Sequence, residues 1–172
     1  MPVLPGQEWR RVLAGAVGVC WWVEVTPHAD GVDDPVWRAW KRGHRHYADA
    51  LMTRSVAWNT RRDRERRVRR LWVPQGPFEG DQVYLRDVLR ARSRAGQPVR
   101  VLDSAPAQGW VEERQVRDLV VTDQGVFAPC YRNGVPAGAF RLCGPHLVGA
   151  VVGDLARLWE RAVPMERWRI SG

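Results

Sequence analysis

The chain has 172 residues, of which 45% are hydrophobic and 27% charged, and its formal net charge is +8. That composition suits one folded domain and excludes wholesale disorder, a collagen-like or coiled-coil rod and a disulfide scaffold. No stretch reaches the roughly 20 apolar residues a membrane helix needs, so no membrane association is expected.

Gln7 to Val17 reads as a short amphipathic helix broken by Gly18. Val19 to Thr26 reads as a strand ended by Pro27. Its continuous apolar run fits a strand covered on both faces. Asp34 and Pro35 are suited to the N-cap and first position of a helix from Val36 to about Trp58. There Trp37, Trp40, His44, Tyr47, Ala48, Leu51 and Met52 recur at helical spacing. Leu71 to Val73 is a short strand, and Asp81 caps a helix that ends at Gly96 before Pro98. Strands are expected at Val99–Leu102, Leu119–Thr122, Val126–Tyr131 and Ala139–Cys143, with a hairpin turn at Asn133-Gly134. A last helix runs from His146 to about Ala162, stopped by Pro164.

Strand–helix–strand units with short connections imply parallel pairing through right-handed crossovers. The expected fold is therefore α/β. It is a mixed, mostly parallel sheet sandwiched by helices, with an antiparallel hairpin at one edge. We expect one domain over 1–172. Residues 1–70 supply a helix–strand–helix and an Arg-rich segment, 71–165 the α/β core, and 166–172 a tail.

Charge is concentrated. Residues 38–70 carry 12 basic and 3 acidic side chains, a net +9, so the rest of the chain is net −1. Arg61, Arg62, Arg64, Arg66, Arg67, Arg69 and Arg70 are seven arginines in ten positions. Such a cluster repels itself unless an anion neutralises it, and guanidinium forks suit phosphate. These seven are the candidate nucleic-acid-binding residues, with Tyr47 and Trp58 available to stack on bases. Two other readings compete. One is a solvated helix face, with Asp63–Arg67 and Glu65–Arg69 paired at i,i+4. The other is a surface for an acidic protein partner.

Few motifs compete with this signal. Cys20, Cys130 and Cys143 form no CxxC pair, so neither a zinc knuckle nor a redox site is indicated. Arg10-Arg11 and the apolar run Val12 to Val23 superficially resemble a signal peptide. Gly15, Gly18 and Trp21-Trp22 interrupt the run, and the protein is expected to be cytoplasmic. His44 and His46, about 200° apart on a helix, cannot share a metal. Nucleotide-binding glycine loops and G-x-S-x-G are absent, Ser104 reads as a turn cap, and no metal or cofactor is expected. Trp21, Trp22, Trp72 and Trp159 suit the core, whereas Trp110 is a candidate pocket residue at the strand ends.

Three phrases carry a family resemblance: YLRDVLRARSRAGQPVRVL (Tyr84–Leu102), DLVVTDQGVFAPCY (Asp118–Tyr131) and LVGAVVGDLARLWERAVPM (Leu147–Met165). Together they resemble the phospholipase-D-like domain of actinobacterial transcription regulators of the TrmB and LuxR kind. The resemblance covers about 90 residues, from Trp72 to Met165. It implies a phospholipase-D-like core and a homodimer, and it departs from the family at the catalytic motif. If Asp123 is the aspartate of H-x-K-x4-D, Val116 takes the place of the nucleophilic histidine and Asp118 that of the phosphate-holding lysine. Valine cannot attack phosphorus, and an aspartate in the lysine slot would repel a phosphate instead of holding it. The resemblance thus implies a catalytically inactive regulatory domain. Around the vestigial motif, Trp110, Asp118, Asp123 and Arg132 are candidates for a small-ligand pocket. The alternatives are a diverged metal-dependent phosphodiesterase or nuclease using Asp118 and Asp123, and an adaptor for an acidic protein.

Overall fold

The structure is a computed structural model. It describes residues 3–25, 34–65, 67–75, 78–103, 109, 118–132 and 135–169, excepting the side chains of 58–60, 62–65, 132 and 135–136. Its strands are β1 (Val3–Pro5), β2 (Cys20–Glu24), β3 (Val68–Trp72), β4 (Val99–Val101), β5 (Leu119–Thr122), β6 (Gly125–Arg132), β7 (Val135–Cys143) and β8 (Val163–Pro164). The main helices are α1 (Gly6–Gly15), α2 (Pro35–Lys41), α3 (Arg45–Glu65), α4 (Asp81–Arg94) and α5 (Pro145–Arg161). The α/β class expected from sequence is what forms.

All eight strands join one sheet in the order β1-β7-β6-β5-β2-β3-β4-β8. Only β2–β3 and β3–β4 are parallel, each pair joined by a helical crossover. The other five pairings are antiparallel. The expectation of a mostly parallel sheet is therefore corrected. The strands after β4 return by hairpins and by pairing β5 against β2, and neither connection needs a parallel crossover. The β6–β7 hairpin forms, yet β1 covers β7 and takes the edge.

Side-chain alternation divides the sheet into two faces. On one face Trp21, Val23, Leu71, Leu119 and Val121 pack against Leu155 and Trp159 of α5. Trp21 meets Trp159 edge-on at 5.5 Å between ring centroids. On the other face α1 inserts Trp9 against Phe127, at 5.3 Å, beside Cys20, Val68 and Val120. Further along that face Trp72, Val99 and Val101 pack on Leu89 of α4 and on Met165 and Trp168 of the C-terminal segment. Leaving an aromatic side chain such as Trp72 in water would forfeit roughly 2–3 kcal/mol of burial, which fixes the register of this short central strand.

The single helix expected from Val36 to Trp58 is two helices. α2 ends in a Schellman motif, in which Gly43 N–H donates to the Trp40 carbonyl at 3.0 Å and His44 N–H to Ala39 at 2.9 Å. Gly43 supplies the left-handed conformation (φ 80°) that the motif requires. His44 therefore lies in a turn and only His46 is helical, which removes the helical argument about their spacing. The run from Val12 to Val23 forms the end of α1, a turn and most of β2.

Candidate functional site

The α2–α3 hairpin is built on its apolar stripe. Asp34 caps α2 by accepting from Val36 N–H at 2.7 Å, and Pro35 opens the helix. Val36, Ala39 and Trp40 of α2 face Ala48, Met52 and Val56 of α3, over Tyr84 of α4. Polar anchors then pin the hairpin to α4. The Trp37 indole donates to Asp81 at 3.3 Å, the Trp40 indole to Asp87 at 3.1 Å, and the Tyr84 hydroxyl to Asp34 at 3.3 Å.

With that stripe committed inward, the remaining faces are cationic. Arg38, Lys41, Arg42, Arg45, Arg54 and Arg61 are all exposed. Among the described side chains from Pro35 to Arg61 the one acidic group is Asp49. Two of the cations are held by aromatic rings. Lys41 Nζ stands 4.4 Å from the Trp37 ring centroid, and the Arg45 guanidinium 3.9 Å from that of Trp40. Such stacking holds a charge in place without neutralising it. Tyr47, Arg54 and Arg61 follow at seven-residue intervals, which is nearly two turns, so they share one line along α3, opposite Met52. Tyr47 is 62% exposed.

The seven arginines singled out from sequence do not form one surface. Arg61 lies on the outward face of α3, and the backbone of Arg62 and Arg64 continues that helix, with their side chains outside the described residues. Arg66 is also outside them. Arg67 is exposed in the turn from α3 to β3, with a left-handed backbone (φ 49°). Arg69 and Arg70 are in β3, where alternation sends them to opposite faces. Arg69 lies over the Trp21 ring, 5.3 Å from its centroid. Arg70 is buried and ion-paired with Glu24; it donates from Nε to Gln97 at 3.0 Å and stacks over Trp22 at 4.9 Å. A phosphate cannot reach it. Five exposed cations upstream, Arg38 through Arg54, were missed as site residues. Their signal was present: all five fall outside the apolar spacing of the helix.

The expected pocket around the vestigial motif is not assembled. Asp118 and Asp123 stand at opposite ends of β5, roughly 17 Å apart at ~3.4 Å per residue. Asp118 is buried, accepting from Val25 N–H at 2.9 Å and from the Tyr131 hydroxyl at 3.0 Å. Asp123 is exposed and accepts from Val17 N–H at 3.0 Å. Each carboxylate secures a neighbouring backbone, and the two cannot share a metal. Among the described residues no group of three or more His, Cys, Asp or Glu side chains could hold a metal ion. Arg132 ends β6 near Asp118, with its side chain outside the described residues, as is Trp110 entirely.

Glu24, Arg70, Asp118 and Tyr131 thus form a buried polar cluster at the carboxyl end of β2. Burial first, then the Asp118 and Glu24 carboxylates, push the Tyr131 phenol above its ordinary value, with Arg70 opposing. The folded protein keeps a proton that an unfolded tyrosine releases near pH 10. The linked stability is fully present below about pH 10 and is lost as pH rises beyond it. Tyr131→Phe should lose that alkaline component, so urea midpoints between about pH 9 and 11 should fall less steeply than in the wild type.

A family model described as "Domain of unknown function (DUF6879)" matches residues 7–170. No curated protein and no solved structure matches the chain. Among the described residues, no helix is long and apolar enough to cross a membrane.

Proposed function

We propose that this chain, which belongs to the DUF6879 family of domains of unknown function, is a non-catalytic α/β binding domain that holds nucleic acid on the outward face of α2–α3. The observation that carries the reading is the charge of that face. Six exposed cations stand on the solvent-facing sides of α2 and α3, Arg54 and Arg61 in line with Tyr47 and Arg45 about 180° round the helix from Arg54, beside Trp40, with a single described carboxylate, Asp49. Arg54 and Arg61 stand in line along α3, about 10 Å apart at ~1.5 Å per residue, where they can meet a charged backbone, and Tyr47 on the same line adds an exposed ring for a base. Relative to the sequence-based set, the phosphate contacts move upstream, to Arg38, Lys41, Arg42, Arg45, Arg54 and Arg61.

We read the core as phospholipase-D-like on the three sequence phrases, and catalysis is not part of the reading. Asp118, in the slot of the motif lysine, is committed to Val25 and Tyr131. A homodimer belongs to the same proposal and would double the cationic face along a duplex.

Fluorescence anisotropy with labelled duplex DNA, single-stranded DNA and RNA across a salt series tests it. Affinity should fall steeply with salt. The triple variant Arg45→Gln, Arg54→Gln, Arg61→Gln should lower the log–log salt slope by about 2–3, at ~0.7–0.9 per lost phosphate contact. Light scattering of the free protein should give twice the monomer mass. Absence of binding to all three nucleic acids at low salt, or an unchanged slope in the triple variant, would overturn the reading. Salt-sensitive binding to an acidic protein in place of nucleic acid would transfer the face to the adaptor alternative.

A further inference from the structure

A second cationic feature lies away from the outward face of α2–α3, where α4 meets the C-terminal segment. Arg90, Ser93, Arg94, Met165, Glu166 and Arg169 line an open cleft of about 450 Å³. Its floor is firm. Met165 is fully buried and its N–H donates to Val99 at 3.1 Å. The turn after it is closed by Arg167 N–H and Trp168 N–H on the Pro164 carbonyl, at 2.9 and 3.1 Å. Trp168 anchors that turn edge-on against Trp72 at 5.2 Å.

The rim carries three guanidinium groups and one carboxylate. Glu166 is engaged by the Ser93 hydroxyl. Arg169 is oriented by donating to the Glu166 and Trp168 carbonyls at 2.9 and 3.0 Å. Arg86, Arg90 and Arg94 repeat every four residues along α4, so their side chains rise on one flank. Arg86 is paired with Asp87. Burial first, and then Arg86, Arg169 and Arg94, disfavour the charged form of Arg90, while Asp87 favours it. An anion in the cleft would relieve that repulsion.

We propose that the cleft between α4 and the 165–169 turn binds the phosphate group of a small molecule through Arg90, Arg94 and Arg169. The net charge of these rim groups is about two positive units, which suits a phosphate dianion better than a carboxylate, and guanidinium forks complement its oxygens. The cleft volume falls in the range of roughly 300–1,000 Å³ typical of small-molecule sites. It exceeds the needs of a bare phosphate and leaves room for the rest of the molecule. This site does not depend on the nucleic-acid reading of α2–α3.

Isothermal titration at low salt with phenyl phosphate, inorganic phosphate and benzoate tests it. Both phosphates should bind saturably, and benzoate at least tenfold more weakly. Phenyl phosphate tighter than inorganic phosphate would assign the cleft to organic phosphate esters; equal affinities would assign it to free phosphate. Arg90→Gln with Arg169→Gln should weaken phosphate binding at least tenfold, and so, more mildly, should Arg94→Gln at an exposed position. Arg157→Gln, at an exposed position on α5 outside both cationic surfaces, should leave it unchanged. Failure of both phosphates to saturate, benzoate binding as tightly as phenyl phosphate, or wild-type affinity in the Arg90/Arg169 variant would overturn the proposal.

Discussion

Replacing Arg70 with alanine is expected to destabilise the fold by about 3–5 kcal/mol, the usual cost of stranding one member of a buried ion pair. The side chains of Arg70 and Glu24 are only 7% and 15% exposed. Without the guanidinium, Glu24 keeps a carboxylate whose Oε2 already lacks a hydrogen-bond partner among the described residues. It would then lie in a cluster with Asp118 and no compensating cation among the described residues. Gln97 would lose the Nε donor at 3.0 Å, a shorter contact than the one it receives from Arg92 at 3.4 Å. Arg70→Lys should recover part of the loss, since it restores charge without the planar fork that serves Glu24 and Gln97 together. Glu24→Gln combined with Arg70→Met should be milder than Arg70→Ala alone, because both charges leave together. Urea unfolding gives the comparison. A cost below about 1 kcal/mol for Arg70→Ala would mean that water, and not Arg70, compensates Glu24.

Trp72→Ala should cost a similar amount, about 3–5 kcal/mol, for a different reason. Trp72 is fully buried in the central strand β3, with Phe78 and Trp168 edge-on at 5.5 and 5.2 Å. Truncation removes its burial and leaves a void between the sheet and α4 that neighbours fixed by β3 and β4 pairing cannot fill. In a chain of this size each kcal/mol lowers Tm by about 2–4 °C, so a fall of about 10 °C in a thermal scan is the expected result. Trp72→Phe should be far milder. The indole N–H has no acceptor among the described residues, so its loss sacrifices area alone.

Much of the scaffold was legible because its signals are local. The Asp34-Pro35 start of α2, the apolar stripe of α5 and the valine- and tryptophan-dense β2 each carry their pattern within a few residues. β1 and β8 were not legible. They have three and two residues, each contains a proline, and they exist only because β7 and β4 offer them partners. The polarity of the sheet was hidden for a related reason: nothing local in β5 says that it will lie against β2. At the site, charge density was legible and orientation was not. Arg70 is buried by a glutamate 46 residues away and a glutamine 27 residues away, so composition alone counted it as a surface cation. Asp118 and Asp123 looked like a carboxylate pair although the strand expected at Leu119–Thr122 already set them at its two ends.

The strand order also bears on how the chain assembles during synthesis. Val3 pairs with Phe140, so the first strand must wait for nearly the last before its hydrogen bonds exist. The parallel unit β2–β3–β4 is complete by residue 101, but the free side of β2 closes only when Leu119–Thr122 arrives. Until then an unpaired edge bearing Trp21, Trp22 and Val23 stands open on the nascent chain. Contacts this distant in sequence make folding slow compared with helical domains and leave sticky edges exposed meanwhile. The chain is therefore most vulnerable to aggregation between the synthesis of β4 and that of β5, and its yield in a cell should depend more on chaperone capacity than the stability of the finished sheet would suggest.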